Sequence, residues 1–204
     1  MHFIPPFLRR TGLVIGFMMS LMQDVSAAEG GVSLSRTRVI FLSTDSTQTL
    51  TVQNYGSRPY LLQSAVIGSP QGGEAAPFMT TPPLFRLEAN SKNTLRIVRK
   101  GDAALPADRE SVFYFTAMAV PSMTQSSESE DTSLAARVSV GIKNTIKLFY
   151  RPVGLPLSAE DAQGRLTFHH QDGNVVVNNP TPYFLTLSRL VFDGREVAAR
   201  AIVP

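Results

Sequence analysis

From Gly31 onward, apolar and polar residues alternate in short bursts. "VSLSRTRVIFL", Val32–Leu42, alternates for most of its length, as a strand with one buried face does. "TQTLTVQN", Thr47–Asn54, does the same and runs into the turn "NYGSRP". "YLLQSAVI", Tyr60–Ile67, is closed by the Gly/Pro-rich "GSPQGGEAAP". With "LFRLE", "NTLRIVRK", "SVFYFTAMAV" and "RVSVGIKNTIKLFY" this makes about seven strands in roughly 120 residues, and no helical period competes with them. Short strands at this spacing predict an all-β sandwich.

Beyond "YRPVGLP" the pattern restarts with "GRLTFHHQDGNVVVNNPTPYFLTLSRLVFDG". Asp172-Gly173 between two strand-like runs predicts a hairpin turn, and "RPVGLP" reads as a domain linker. The second unit, about 50 residues up to Pro204, is shorter than a whole sandwich of about 100. The expectation is therefore two β domains, the second incomplete at its C-terminus.

The N-terminus changes the picture. Arg9-Arg10 precede the apolar "TGLVIGFMMSLM", and "QDVSAAEG" follows. A basic start, a short apolar stretch and small residues at a cleavage point predict a signal peptide over residues 1–27. The apolar run is short of the roughly 20 residues a membrane span needs, and nothing later is longer, so no membrane insertion is expected after cleavage. The exported chain has no cysteine. At this length it can bury enough surface without disulfides.

Charge and chemistry exclude more than they suggest. Of 204 residues 43% are hydrophobic, and the formal net charge is only +3. No Lys/Arg cluster follows a helix or alternates with aromatics, which argues against nucleic acid. There is no cysteine nucleophile and no G-x-S-x-G elbow. His2 leaves with the signal, and His169 and His170 are neighbours on a predicted strand, pointing to opposite faces. Glu128, Glu130 and Asp131 sit in the polar run Pro121–Ala136 and read as a solvated loop. No catalytic residue, metal site or cofactor is expected, and the chain does not read as an enzyme.

What remains is a set of cations inside strands. In "KNTIKLFYRP", Lys147 stands between Ile146 and Leu148, and Arg151 follows; Arg36 and Arg38 lie in "SRTRVIF". Burying such a charge unpaired costs several kcal/mol. Either the aliphatic stem covers the sheet and the head reaches water, or something negative arrives there.

"GVSLSRTRVIF", "TPPLFRLEANSKNTLRIV", "LPADRESVFYF", "IKLFYRP" and "NNPTPYFLTLSRL" together resemble the PapD-like periplasmic chaperones of chaperone–usher pili, over about Gly31 to Pro204. The resemblance implies two immunoglobulin-like β-sandwich domains, here 28–151 and a truncated 152–204, set around a cleft. It implies that the chain binds pilus subunits, lends them its last first-domain strand through Val138, Val140 and Ile142, and delivers them to an outer-membrane usher. Arg38 and Lys147 would hold the subunit's C-terminal carboxylate, and Glu110 and Arg151 would form an ion pair bracing the two domains. That pair's third partner in the family lies beyond Pro204. The loop over 121–136 is longer than in short-loop members, yet the cysteine pair of long-loop members is absent, which aligns the chain with the short-loop group.

Val138, Val140 and Ile142 share strand parity with Ile146 and Leu148, so exposing the upstream three predicts a twist or bulge before Lys147. An exposed apolar edge is also open to self-association. Two readings from other directions are a pilus subunit or adhesin and a non-functional chaperone remnant. Against the first, the chain keeps "RVSVGIKNTIKLFY" and lacks cysteine.

Overall fold

In the computed structural model, which describes residues 31–72, 75–101, 104–122, 140–192 and 194–204, the first domain is a sandwich of two sheets. Its strands are β1 (Val32–Leu34), β2 (Arg38–Leu42), β3 (Thr47–Asn54), β4 (Tyr60–Ile67), β5 (Phe78–Thr81), β6 (Leu84–Leu87), β7 (Lys92–Arg99), β8 (Ser111–Pro121) and β9 (Ile142–Arg151). One sheet has the order β1-β3-β7-β5 and the other β2-β9-β8-β4-β6. The predicted signal peptide, Val138 and the loop residues Glu128, Glu130 and Asp131 lie outside the described residues.

The run expected as one strand over Val32–Leu42 is two. β1 pairs antiparallel with β3 in one sheet, and β2 pairs parallel with β9 in the other. The break falls where Ser35 to Arg38 are exposed. Val32 is buried at an even position, and Val39 and Phe41 at odd ones. That slip of parity is the mark of a chain stepping from one layer to the other. β5 was not expected; it is four residues wedged between a Gly/Pro-rich stretch and Pro82-Pro83.

The core between the sheets includes Phe41, Leu50, Leu62, Ile97, Phe115 and Leu148, each at most 1% exposed. Phe78 stacks edge-on to both Phe41 and Phe113 at 5.2 Å between ring centroids. Asn54, fully buried, ties two loops together. Its Nδ2 donates to the Arg58 and Glu88 carbonyls at 2.8 Å, and its Oδ1 accepts from the Gly56 N–H at 2.8 Å. A buried amide is tolerable because every polar atom is used.

β9 sends Leu148 and Tyr150 into the core, while Lys147, Phe149 and Arg151 point the other way. The twist or bulge expected before Lys147 is not there: β8 and β9 stay in register without a shift from Ser111↔Tyr150 to Ala119↔Ile142. The change from buried to exposed comes instead from the end of the sandwich. Asn144 Nδ2 donates to the Val32 carbonyl of β1 at 2.9 Å. Past that point Ile142 is half-buried and Val140 is 70% exposed.

The second domain begins with a short helix α1 (Ala159–Gln163), capped by Ser158, whose Oγ accepts from the Asp161 N–H at 3.0 Å. Two hairpins follow, β10 (Thr167–Gln171) with β11 (Asn174–Asn178), and β12 (Leu185–Phe192) with β13 (Arg195–Val203). Asp172 and Gly173 form the first turn with φ of 49° and 77°, the doubly positive geometry that the pair predicts. His169 and His170 stand opposite Val176 and Val175, on different faces of that hairpin. Ala162, Tyr183 and Leu185 form a small apolar cluster. No helix among the described residues is long and apolar enough to cross a membrane.

Asn54→Ala leaves the loop groups it holds without partners and should cost about 2–3 kcal/mol. Urea unfolding of the two proteins checks this, with an unchanged slope and a lower midpoint as the expected result.

Candidate functional site

The parallel pairing of β2 and β9 sets Arg38 directly beside Lys147, Ile40 beside Phe149, and Leu42 beside Arg151. On the other flank of β9, β8 sets Tyr114 beside Lys147 and Val112 beside Phe149. Alternation turns this row away from the core, towards the second domain.

Three contacts join the domains along the row. At its C-terminal end, Arg151 Nε meets Glu110 Oε1 at 2.6 Å, with Glu110 only 4% exposed. The second carboxylate oxygen, Oε2, accepts from the Phe184 N–H at 2.9 Å, and the Glu110 N–H donates to the Pro182 carbonyl at 2.8 Å. The Glu110 carboxylate thus also holds a backbone N–H of the segment leading into β12. The Arg151 guanidinium also lies over the Tyr183 ring, 5.1 Å from its centroid. In the middle of the row, Phe149 and Phe184 stack at 6.2 Å. At the other end, Lys147 Nζ donates to Thr186 Oγ1 at 3.3 Å.

A cleft of about 390 Å³ opens beside this row, lined in part by Arg38, Arg151, Phe184, Thr186, Ser188 and Arg189. Among the described residues no carboxylate pairs with Arg38 or Lys147. Burial, and then the positive charge of Arg38, push the Lys147 ammonium below the usual lysine range. Two adjacent cations, one partly desolvated, favour an incoming oxyanion: Arg offers a planar fork and Lys a point charge.

Of the residues singled out from the sequence, Arg38 and Lys147 come together, as do Glu110 and Arg151. Ile142 opens β9 upstream of the cations, and Val140 lies two residues before the strand begins. Thr186, Phe184 and the Pro182 carbonyl were missed. They lie within "PTPYFLT", which carries no charge and no periodic signal that would single them out.

Residues 31–156 match the family described as "Pili and flagellar-assembly chaperone, PapD N-terminal domain", and residues 161–204 match "Pili assembly chaperone PapD, C-terminal domain". The chain belongs to the PapD family of pilus-assembly chaperones. It is 37% identical over 194 residues to the chaperone protein FimC of Escherichia coli K12, covering 94% of this chain and 78% of FimC. It superposes on the crystal structure of the E. coli chaperone DraB with a TM-score of 0.75 at 34% identity, covering 85% of this chain and 80% of DraB. A Salmonella enterica SafB chaperone, solved in complex with the SafA pilin, gives a TM-score of 0.73 at 34% identity over 85% of this chain and 79% of SafB. In this PapD-family chain, then, two cations with no carboxylate partner among the described residues sit in register, and Arg38 lines the cleft beside them.

Glu110→Ala strands Arg151 and the Phe184 N–H together and should cost about 3 kcal/mol or more, read by chemical unfolding. Lys147→Met should be neutral or slightly stabilising at pH 7, because it removes a disfavoured charge. The lowered ammonium makes this penalty present at neutral pH and relieves it as pH rises through the lowered value. Thermal unfolding between pH 7 and 10 should therefore show the wild type gaining on the variant.

Proposed function

We propose that this chaperone acts in the periplasm by completing the fold of pilus subunits with its own β9, and that Arg38 and Lys147 hold the subunit's C-terminal carboxylate. The observation that carries this is the register between the cation pair and the open edge of β9. β2 covers β9 only from Lys147 to Arg151. Ahead of Arg38, the stretch from Ile142 to Ile146 has β8 on one side and, among the described residues, no ladder partner on the other. A client strand laid parallel along that edge would run in line with β2 and end at Arg38 and Lys147. Its terminal carboxylate would meet both cations, with charge-assisted hydrogen bonds of about 1.5–3 kcal/mol each.

The same geometry gives the apolar residues their place. Val140 and Ile142 continue the face of Ile146 and Leu148 beyond the sandwich, where a client can cover them. Backbone pairing would supply affinity, and these side chains would fill a groove in the client. Val138 would extend the series by one step. Covering this edge would also keep subunits from polymerising early and would hold them for an outer-membrane usher. An uncovered edge competes by self-association.

The test is co-purification from periplasm with the pilus subunits encoded beside the chain. Wild type should yield a one-to-one complex. Lys147→Ala and Arg38→Ala should lose it while remaining folded by circular dichroism. Unimpaired capture by both variants would refute the carboxylate anchor.

A further inference from the structure

The geometry points to Thr186 as the third group of the anchor, its hydroxyl accepting from the Lys147 ammonium while donating its own proton to the bound carboxylate. This rests on the reading of Arg38 and Lys147 given above. It places one ligand of the site on the second domain.

The register of the interface puts Thr186 there. Phe149 meets Phe184. Two residues back along β9 is Lys147, and two residues forward from Phe184 is Thr186, which are themselves in contact at 3.3 Å. The stacking that aligns the aromatics therefore aligns the hydroxyl with the ammonium. Alternation along β12 does the rest: Leu185 is buried in the second apolar cluster, so Thr186 faces the cleft that Arg38 also lines. Glu110 fixes the start of this segment through the Phe184 N–H and the Pro182 carbonyl.

The chemistry suits the task. A hydroxyl carries one donor and two acceptor positions. Lys147 uses an acceptor position, and among the described residues no carbonyl or carboxylate takes the Thr186 proton. That proton is available to an anion held by Arg38 and Lys147, as a short charge-assisted bond. The Lys147 ammonium is held by Thr186, a residue that lines the cleft, before the client arrives, which lowers the ordering cost of binding. Arg38 from β2, Lys147 from β9 and Thr186 from β12 then form an anchor that exists only while the domains keep this orientation.

The test uses the mature chain, its Thr186→Val and Thr186→Ser variants, and one synthetic nonapeptide of alternating Val and Thr made with a free carboxyl end and with an amide end. Calorimetry gives the preference for carboxylate over amide, and NMR of the Lys147 side chain gives its titration. Wild type should prefer the carboxylate. Thr186→Val should reduce that preference about tenfold or more, and Thr186→Ser should restore it. The ammonium should titrate lower in Thr186→Val, since an acceptor favouring its charged form is gone, and should return in Thr186→Ser. A wild type that binds both peptides equally would sink the carboxylate anchor itself. A wild type that discriminates, with Thr186→Val discriminating as well, would overturn the role of Thr186 alone. Equal weakening of both peptides in Thr186→Val would also overturn it, marking the residue as structural.

Discussion

The parallel pairing of β2 with the second half of β9 is the contact on which the rest of this molecule depends. It exists because the chain changes sheets between Ser35 and Thr37, releasing β2 from the layer that holds β1. It closes the edge of β9 from Lys147 to Arg151 and leaves the edge before it without a ladder partner among the described residues. It also brings Arg38 and Lys147 side by side, two like charges that no carboxylate among the described residues neutralises. A structure concerned only with stability would cover that edge and separate those cations. On the proposed function, both features would become favourable together when a strand ending in a carboxylate arrives.

The brace at the other end of the row has a different physical character. Glu110 is buried, and all three of its hydrogen bonds cross between residues of the first domain and the segment that feeds the second, or reach Arg151 beneath it. Buried ion pairs add little net stability against an apolar replacement, since desolvation offsets their attraction. What they do impose is direction: the wrong orientation leaves a charge buried without a partner. With Phe149 on Phe184 and Arg151 on Tyr183, the domain angle is set by groups that tolerate few alternatives. The position of Thr186 over Lys147 follows from that angle.

The upstream half of β9 reaches past the protein's own core, which is what the proposed strand donation would require. Its inward face runs without a register shift from Tyr150 back to Ile142, and only the covering sheet stops, near Val32. Leu148 and Tyr150 belong to the protein's own interior. Ile142 and Val140 continue the same face into open space. The polar Asn144, tied to β1, stands between them and satisfies a carbonyl at the edge of that short strand. Ladder pairing with β8 carries the strand back as far as Ile142, and Val140 lies just before it.

Local pattern carried much of this. Period-two alternation located most strands and Asp172-Gly173 located a hairpin, because each depends on neighbours along the chain. The oddity of a lysine between Ile146 and Leu148 was visible too, as a charge out of place. The sequence could not say that Val32–Leu42 is two strands in two sheets, since a parity slip is a weak signal until both sheets exist. Nor could alternation tell a face that leaves the core by bulging from one that outlasts its cover. Thr186 and Phe184 were silent for the same reason: their roles come from the register between two domains, and neither residue has anything unusual in its own sequence surroundings. The sequence by itself determined which segments are strands and which charges are costly. Tertiary structure alone decided which of them meet, because the contacts that join the two domains link residues 32 to 74 positions apart.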